Sequence, residues 1–219
     1  MLLVPLRVLY LHGFASGRQS RKASFFIDKL SRLNVPVEVP DLSEGRFESL
    51  TITGQLRVID RVIGNEPVVL IGSSLGGYLA ALSAARHQQV TKVVLLAPAF
   101  RFCDLWRTQL GTEGIRRWQA EGSLSVFHYT EGRERPIGYQ LMEDAGQYSP
   151  FPDFQQPALI FHGNQDYTVP VDCSVEFAQT HPNARLIRIN SGHELTDALD
   201  SIWQKTKPFL FGSDLENQC

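Results

Sequence analysis

The sequence predicts an α/β fold in which a mostly parallel sheet is covered by helices. Three observations carry this expectation. Short β-rich runs alternate with longer stretches of helical spacing. Two runs, "VVLIG" at 68–72 and "KVVLLA" at 92–97, are apolar or nearly so throughout, as strands buried on both faces are. A glycine-rich turn, "GSSLGG", joins one of them directly to a new helical periodicity.

Taken in order, "RVLYLH" at 7–12 reads as the first strand, with the apolar stretch before it as its approach. Phe26, Leu30 and Leu33 then recur at helical spacing and predict a helix over 20–32, followed by a short strand "VPVEV" at 35–39. Ile52, Leu56, Ile59 and Ile63 mark the next helix, and Pro67 opens the strand "VVLIG". Leu75, Leu79 and Leu82 predict a helix ending near His87, before "KVVLLA". The rhythm breaks over residues 98–157, where Phe100, Phe102, Trp106, Trp118, Phe127, Tyr129, Tyr139 and Met142 sit among polar residues and glycines. That composition predicts an ordered insertion with short helices, either a partial lid and pocket wall or an excursion that packs on the core. Alternation resumes with the strand "PALIFHG" at 157–163, a helix near 171–179, the strand "ARLIRI" at 184–189, and a last helix marked by Leu195, Leu199, Ile202 and Trp203. The expected organisation is one domain over 1–219 with the insertion inside it.

The chain has 219 residues, 43% apolar and 20% charged, with a formal net charge of −2. This balance gives no stripe for nucleic acid. The short basic run "RQSRK" at 18–22 reads as a solvated loop and helix start, at most a weak phosphate-binding hint. Cys103, Cys173 and Cys219 are widely separated and form no metal-ligand or CxxC spacing, which favours a reducing, cytoplasmic setting. No run approaches the roughly 20 apolar residues of a membrane span, and the amino terminus has no basic leader or cleavage pattern. No cofactor is expected, and the sequence is silent on oligomeric state.

Chemistry concentrates at the strand ends. Gly72-Ser73-Ser74-Leu75-Gly76 fits G-x-S-x-G only with Ser74 central, and it lies between a predicted strand and a predicted helix. A sharp turn there needs minimal side chains two residues on either side, which Gly72 and Gly76 supply. Ser74 also fits a simple helix cap, and Ser73 is the lesser candidate nucleophile. A serine hydroxyl needs a base, and the base needs a carboxylate to hold it. "FHGNQDYTVP" places Asp166 after one strand, and "INSGHELTD" places His193 after the next. Read alone, Asp166 equally fits a turn and His193 a packing residue; their order after Ser74 and their loop contexts favour the catalytic reading. After "LYLHG", the backbone N–H of Phe14 is expected beside that of Leu75 as a pair of oxyanion donors. His12 and His162 each precede a glycine and are expected to support turns. Convergence of His12, His162 and His193 on zinc is the weaker alternative, since no local ligand motif accompanies them.

"YLHGFASGRQSRKA", "IGSSLGGYLA", "FHGNQDYTVP" and "SGHELTD" together resemble the α/β-hydrolase superfamily, and within it the compact bacterial esterases called YqiA-like or UPF0227 hydrolases. The resemblance covers essentially the whole chain. It implies the α/β-hydrolase fold, with the insertion following the strand that the superfamily numbers sixth. It also implies a Ser-Asp-His esterase with Ser74 as nucleophile, Asp166 as acid, His193 as base, and Phe14 and Leu75 as backbone donors.

The expected activity is hydrolysis of carboxylic esters with short to medium apolar acyl groups. Phe100, Phe102, Trp106, Phe127 and Tyr129 are the candidate pocket residues. Thioester hydrolysis through the same acyl-enzyme is the runner-up, and a noncatalytic binding domain of the same fold is the alternative of a different class. A peptidase lacks any recognisable peptide-binding module. Epoxide and haloalkane hydrolases of this fold use a carboxylate nucleophile, whereas the turn here offers serine.

Overall fold

A computed structural model describes residues 6–212. The start of the amino-terminal apolar stretch and Cys219 therefore lie outside the described residues. Six strands form one wholly parallel sheet in the order β2-β1-β3-β4-β7-β8. They are β1 (Val8–Leu11), β2 (Val37–Glu38), β3 (Val68–Ser73), β4 (Val90–Leu96), β7 (Ala158–Gly163) and β8 (Ala184–Ile189). The helices α1 (Arg21–Ser31), α2 (Ile52–Ile63), α3 (Leu75–Ala84), α6 (Val171–Thr180) and α7 (Leu199–Phe211) connect and cover them. This is the α/β-hydrolase fold.

The pleat sorts side chains onto two buried faces. Leu9, Leu11, Leu70, Val93, Leu95 and Ile160 point into a core shared with α2, α3 and α6. Val8, Tyr10, Val69, Ile71, Val94, Leu96 and Phe161 point into a second core with α1 and α7. Both faces being covered is why these strands read as continuous apolar runs rather than alternating ones. The edge strand β2 keeps only two residues of the expected run. Pro36 and Pro40 bracket it, and proline cannot donate to the ladder.

Between β4 and β7 the chain builds α4 (Phe102–Glu121), an antiparallel hairpin of β5 (Ser123–His128) and β6 (Arg133–Gly138), and α5 (Gln140–Ala145). The helices were expected; the hairpin was not. α4 is two helical pieces joined at Gly111, whose φ of 66° and ψ of 175° break the helix. Every residue of α3 is buried, with the sheet on one side and α2 and this excursion on the others, which is why it is apolar all round. Two ends also differ from expectation: α3 stops at Ala84 rather than near His87, and α7 begins at Leu199. Leu195 is buried from the preceding loop at φ 54°, so its contact imitates helical spacing without belonging to the helix. Among the described residues, no helix is long and apolar enough to cross a membrane.

Candidate active site

The strand order reverses between β1 and β3: the chain leaves β1 toward β2 and returns to β3 on its other side. In open parallel sheets the crevice beyond the strand ends at such a reversal is where ligands bind. Ser74 lies there. Its backbone sits at φ 53°, ψ −119°, a conformation that a non-glycine residue holds only when its surroundings dictate it. They do. The Ser74 N–H donates to Leu96 O at 2.9 Å, and its carbonyl accepts from Gly77, Tyr78 and Ala99 at 2.9, 3.1 and 3.0 Å. A Cβ on Gly72 would fall 2.3 Å from Gly76 O, across the turn. A Cβ on Gly76 would fall 2.1 Å from Leu11 O, so this glycine lets α3 start against β1 rather than clearing the turn itself.

Two further loops meet Ser74. The loop after β7 carries Asp166 and the loop after β8 carries His193. Asn164 N and Gln165 N donate to Ile189 O and Ser191 O at 2.8 and 3.0 Å, zipping the two loops together. Gly163, at the end of β7, permits this approach: a Cβ there would lie 2.3 Å from Ser191 O. His193 Nδ1–H donates to Asp166 Oδ2 at 2.7 Å, and His193 Nε2 lies 3.1 Å from Ser74 Oγ. The turn role and the partner role of Asp166 prove compatible, one oxygen each. Oδ1 accepts from the N–H groups of Thr168 and Val169 at 2.9 and 2.8 Å, while Oδ2 faces His193. Burial by itself would raise the Asp166 carboxyl, but His162 and His193 beside it and the Val169 N–H outweigh burial and hold it well below the usual carboxylate range. An ionised Asp166 keeps the His193 proton on Nδ1, leaving Nε2 able to accept from Ser74.

β1 and β3 run in register with Leu11 opposite Gly72, so Phe14 and Leu75 stand three residues beyond a matched pair. Among the described residues neither N–H has a hydrogen-bond partner, and both residues line the same cavity as Ser74. That cavity measures about 700 Å³. Phe102, Trp106, Phe127 and Tyr129 line it, together with Leu105, Leu110, Leu124 and Val126. Leu124 and Val126 come from the unforeseen hairpin and were missed with it, although their alternation with Ser123 and Ser125 is a strand signal. Phe100 does not reach the cavity. It is fully buried and stacked on Phe177 with ring centroids 4.2 Å apart, a core residue under the insertion.

His12 and His162 lie away from the cavity wall. His12 Nδ1–H donates to Gly13 O at 3.0 Å, and burial lowers its tendency to protonate, partly opposed by Gly13 and Asp41. The His162 ring is enclosed: Nε2–H donates to Val169 O at 2.8 Å with Asp166 Oδ2 at 3.2 Å, and Nδ1 pairs with Ser174 Oγ at 2.7 Å. Nε2 is thus spent on the Asp166 turn and Nδ1 on Ser174 of α6, so neither is presented to a shared ligand with His193. His162 and Ser174 brace that turn, a role visible in sequence only as the "HG" before "NQD". Ser73 is buried on the strand side, also at the cavity edge.

Comparison with known proteins finds relatives whose names include a thioesterase and a lipase. The chain is 26% identical over 211 residues to the palmitoyl-protein thioesterase ABHD10, mitochondrial, of Bos taurus, covering 88% of this chain and 68% of that protein. It is 35% identical over 104 residues to lipase LipV of Mycobacterium tuberculosis, covering 43% of this chain and 38% of the lipase. Est1E from Butyrivibrio proteoclasticus, solved with ferulic acid bound, superposes with a TM-score of 0.78 at 23% identity, over 94% of this chain and 88% of that one, which shows the shared fold. Residues 7–210 match the family described as Uncharacterised protein family (UPF0227), and with nearly the whole chain matched, the protein belongs to that family of α/β-hydrolases.

Proposed function

We propose that the protein is a serine hydrolase that cleaves acyl esters through a covalent acyl-Ser74 intermediate. The reading rests on one observation above others: the continuous line from Asp166 through His193 to Ser74, opening on a largely apolar cavity. His193 Nε2 takes the Ser74 proton as Oγ attacks the acyl carbon. The carbonyl oxygen, now negative, is met by the N–H groups of Phe14 and Leu75. Collapse of the tetrahedral intermediate expels the alcohol, which receives the proton from His193, and water repeats the sequence to release the acid. Asp166 fixes the imidazole tautomer throughout and does not take the proton. A cytoplasmic setting belongs to the same proposal and is motivated by the cysteine spacing.

Oxygen esters with short to medium apolar acyl groups are the leading substrates, since Phe102, Trp106, Leu110 and Leu124 give an acyl chain apolar surface to leave water against. Each buried methylene contributes about 0.8 kcal/mol, roughly fourfold in kcat/KM. Thioester hydrolysis is the second reading, favoured by the bovine relative's name. A panel of matched oxygen esters and thioesters, from acetyl to hexanoyl, separates the two. Rising kcat/KM with chain length and faster oxygen esters are expected. Consistently faster thioesters would move the substrate class, and a flat series would remove the acyl-pocket assignment. Mass mapping of a fluorophosphonate adduct tests the nucleophile. Labelling at Ser74, absent in S74A, is expected; stoichiometric labelling elsewhere that persists in folded S74A would overturn it.

A further inference from the structure

We propose that Lys22 is a positioning residue for the base: its side chain holds the backbone of the loop that carries His193, and turnover depends on that hold. This deepens the serine-hydrolase reading and rests on it. Lys22 opens α1, and the residue it holds, Glu194, lies 172 positions further on. The two meet because Ala23, Phe26 and Leu30 of α1 and Leu195 of the loop pack into one core.

The loop between β8 and α7 is held unevenly. On its β8 side, Ser191 O accepts from Gln165 N at 3.0 Å. From Gly192 to Asp197 the backbone has one hydrogen bond to another element among the described residues, and Lys22 makes it: Nζ donates to Glu194 O at 2.9 Å. That carbonyl belongs to the peptide joining Glu194 to Leu195. Leu195 stands at φ 54°, a left-handed value that a leucine keeps only under constraint from its surroundings. Its side chain is buried, 1% exposed. This φ is the rotation between the peptide that Lys22 grips and the side chain that the core grips. With both sides of the rotation held, the direction of the chain leading back to His193 is set.

Lys22 is 7% exposed, and enclosing an ammonium is costly. Burial pushes it down from its usual value, and the carboxylates of Glu194 and Asp166 oppose that shift. A methionine would fill the same space without the cost, so stability alone gives no reason for a cation here. The carbonyl is the firmer of its two contacts. The Glu194 carboxylate lies 3.3 Å from Nζ on a side chain 71% exposed, and such a pair contributes little. The hold thus acts on the backbone one residue after His193. Its consequence is geometric: His193 must keep Nδ1 2.7 Å from Asp166 Oδ2 and Nε2 3.1 Å from Ser74 Oγ at the same time. A displacement of about 1 Å at such a group costs about a hundredfold in rate.

The test measures kcat and KM for a neutral ester, p-nitrophenyl butanoate, in the wild type, Lys22→Met, Lys22→Gln, Lys22→Arg and Glu194→Ala. In Lys22→Met, kcat is expected to fall by about a hundredfold while KM stays within about threefold and Tm stays near that of the wild type. Lys22→Arg still carries a donor for the carbonyl and should regain about tenfold of that loss, and Glu194→Ala should remain within about threefold of the wild type. Lys22→Gln is one methylene shorter and uncharged; its kcat should fall by about tenfold or more, and it carries the comparison where Lys22→Met fails to fold. A second readout needs no turnover. The His193 Nδ1 proton, hydrogen-bonded to Asp166, is read as a low-field proton resonance assigned by its absence in His193→Gln. It should move or broaden in Lys22→Met and Lys22→Gln and stay in place in Glu194→Ala. Wild-type kcat with an unmoved resonance in either folded Lys22 variant overturns the positioning role. A raised KM with kcat kept would assign Lys22 to substrate contact and overturns it equally. A loss in Glu194→Ala as large as in Lys22→Met would place the effect in the ion pair and overturn the hold on the backbone. Where no ester is cleaved through Ser74, a resonance that moves only in the Lys22 variants still supports the hold on His193, and the proposed activity alone falls. Ser74-dependent cleavage that the Lys22 variants leave intact overturns the hold and leaves the activity standing.

Discussion

Asp166 divides its two oxygens between holding a turn and holding a histidine, and an asparagine can satisfy only one of these. In D166N the amide oxygen stays with the N–H groups of Thr168 and Val169, and the amide NH₂ then faces His193 Nδ1. The imidazole proton moves to Nε2, where it can no longer accept from Ser74. Ester turnover is expected to fall by about 10⁴-fold, a magnitude that belongs to the equivalent change in serine proteases, with the fold retained. Steady-state rates beside a near-UV spectrum check it; activity within tenfold of wild type would discard the assigned role. The same carboxylate carries a pH signature. Its folded value lies below the ordinary 3.8, so its contribution to stability is present above 3.8 and lost as pH falls through the lower folded value. The gap in Tm between wild type and D166N should therefore narrow on acidification below about 3.8, and a gap independent of pH would show that His162 and His193 do not hold the charge.

Elements position these residues through backbone approaches that leave no room for a side chain. G76A is the sharpest case, because its Cβ would meet Leu11 O at 2.1 Å and His12 O at 2.5 Å, in a strand paired on both sides. Neither β1 nor α3 can yield, and the expected cost is about 3 kcal/mol or more. A urea midpoint near that of wild type would show that α3 shifts freely. The glycines around Ser74, the strand ends bearing Asp166 and His193, and the apolar runs β3, β4 and β7 were legible because each obeys a local rule. The hairpin was not. β6 reads "RERPIG", with three charges and Pro136 in six residues, a composition that argues against a strand inside a sheet. As half of an isolated two-stranded ribbon it needs only one partner, and its pairing with β5 is what folding reveals. Phe100 was misplaced for a related reason. An aromatic residue in an insertion looks the same in sequence whether it faces the cavity or, as here, stacks beneath it on Phe177.

Across the whole molecule the excursion between β4 and β7 is built as part of the body. Trp118 is 1% exposed and donates from Nε1 to Ile137 O at 2.9 Å, tying α4 to the hairpin. Phe102, Leu141, Met142 and Phe154 belong to the same buried cluster as the α2 and α3 side chains. Tyr78 of α3 reaches Ser149 O at 2.7 Å, and Thr53 N of α2 donates to Asp144 Oδ2 of α5 at 2.7 Å. At its tip, Tyr129 N donates to Ala15 O at 2.9 Å, so the hairpin rests on the loop that carries Phe14. Removing the excursion would uncover the part of α3 around Tyr78, which packs on Phe102 and bonds Ser149, and that buried apolar surface cannot stand in water. A lid that opens as a unit would have to break all of these contacts together. The expectation is therefore that excursion and sheet unfold in one transition. The tryptophans report it conveniently, since Trp106 and Trp118 lie in α4 and Trp203 in α7. Urea unfolding followed by tryptophan fluorescence, with Trp203→Phe so that only α4 is observed, should share its midpoint with far-ultraviolet circular dichroism of the same variant. A fluorescence transition well below the dichroism midpoint would mean that α4 and the hairpin leave the body first. Access to Ser74 would then be governed by a separate opening rather than by the fixed cavity.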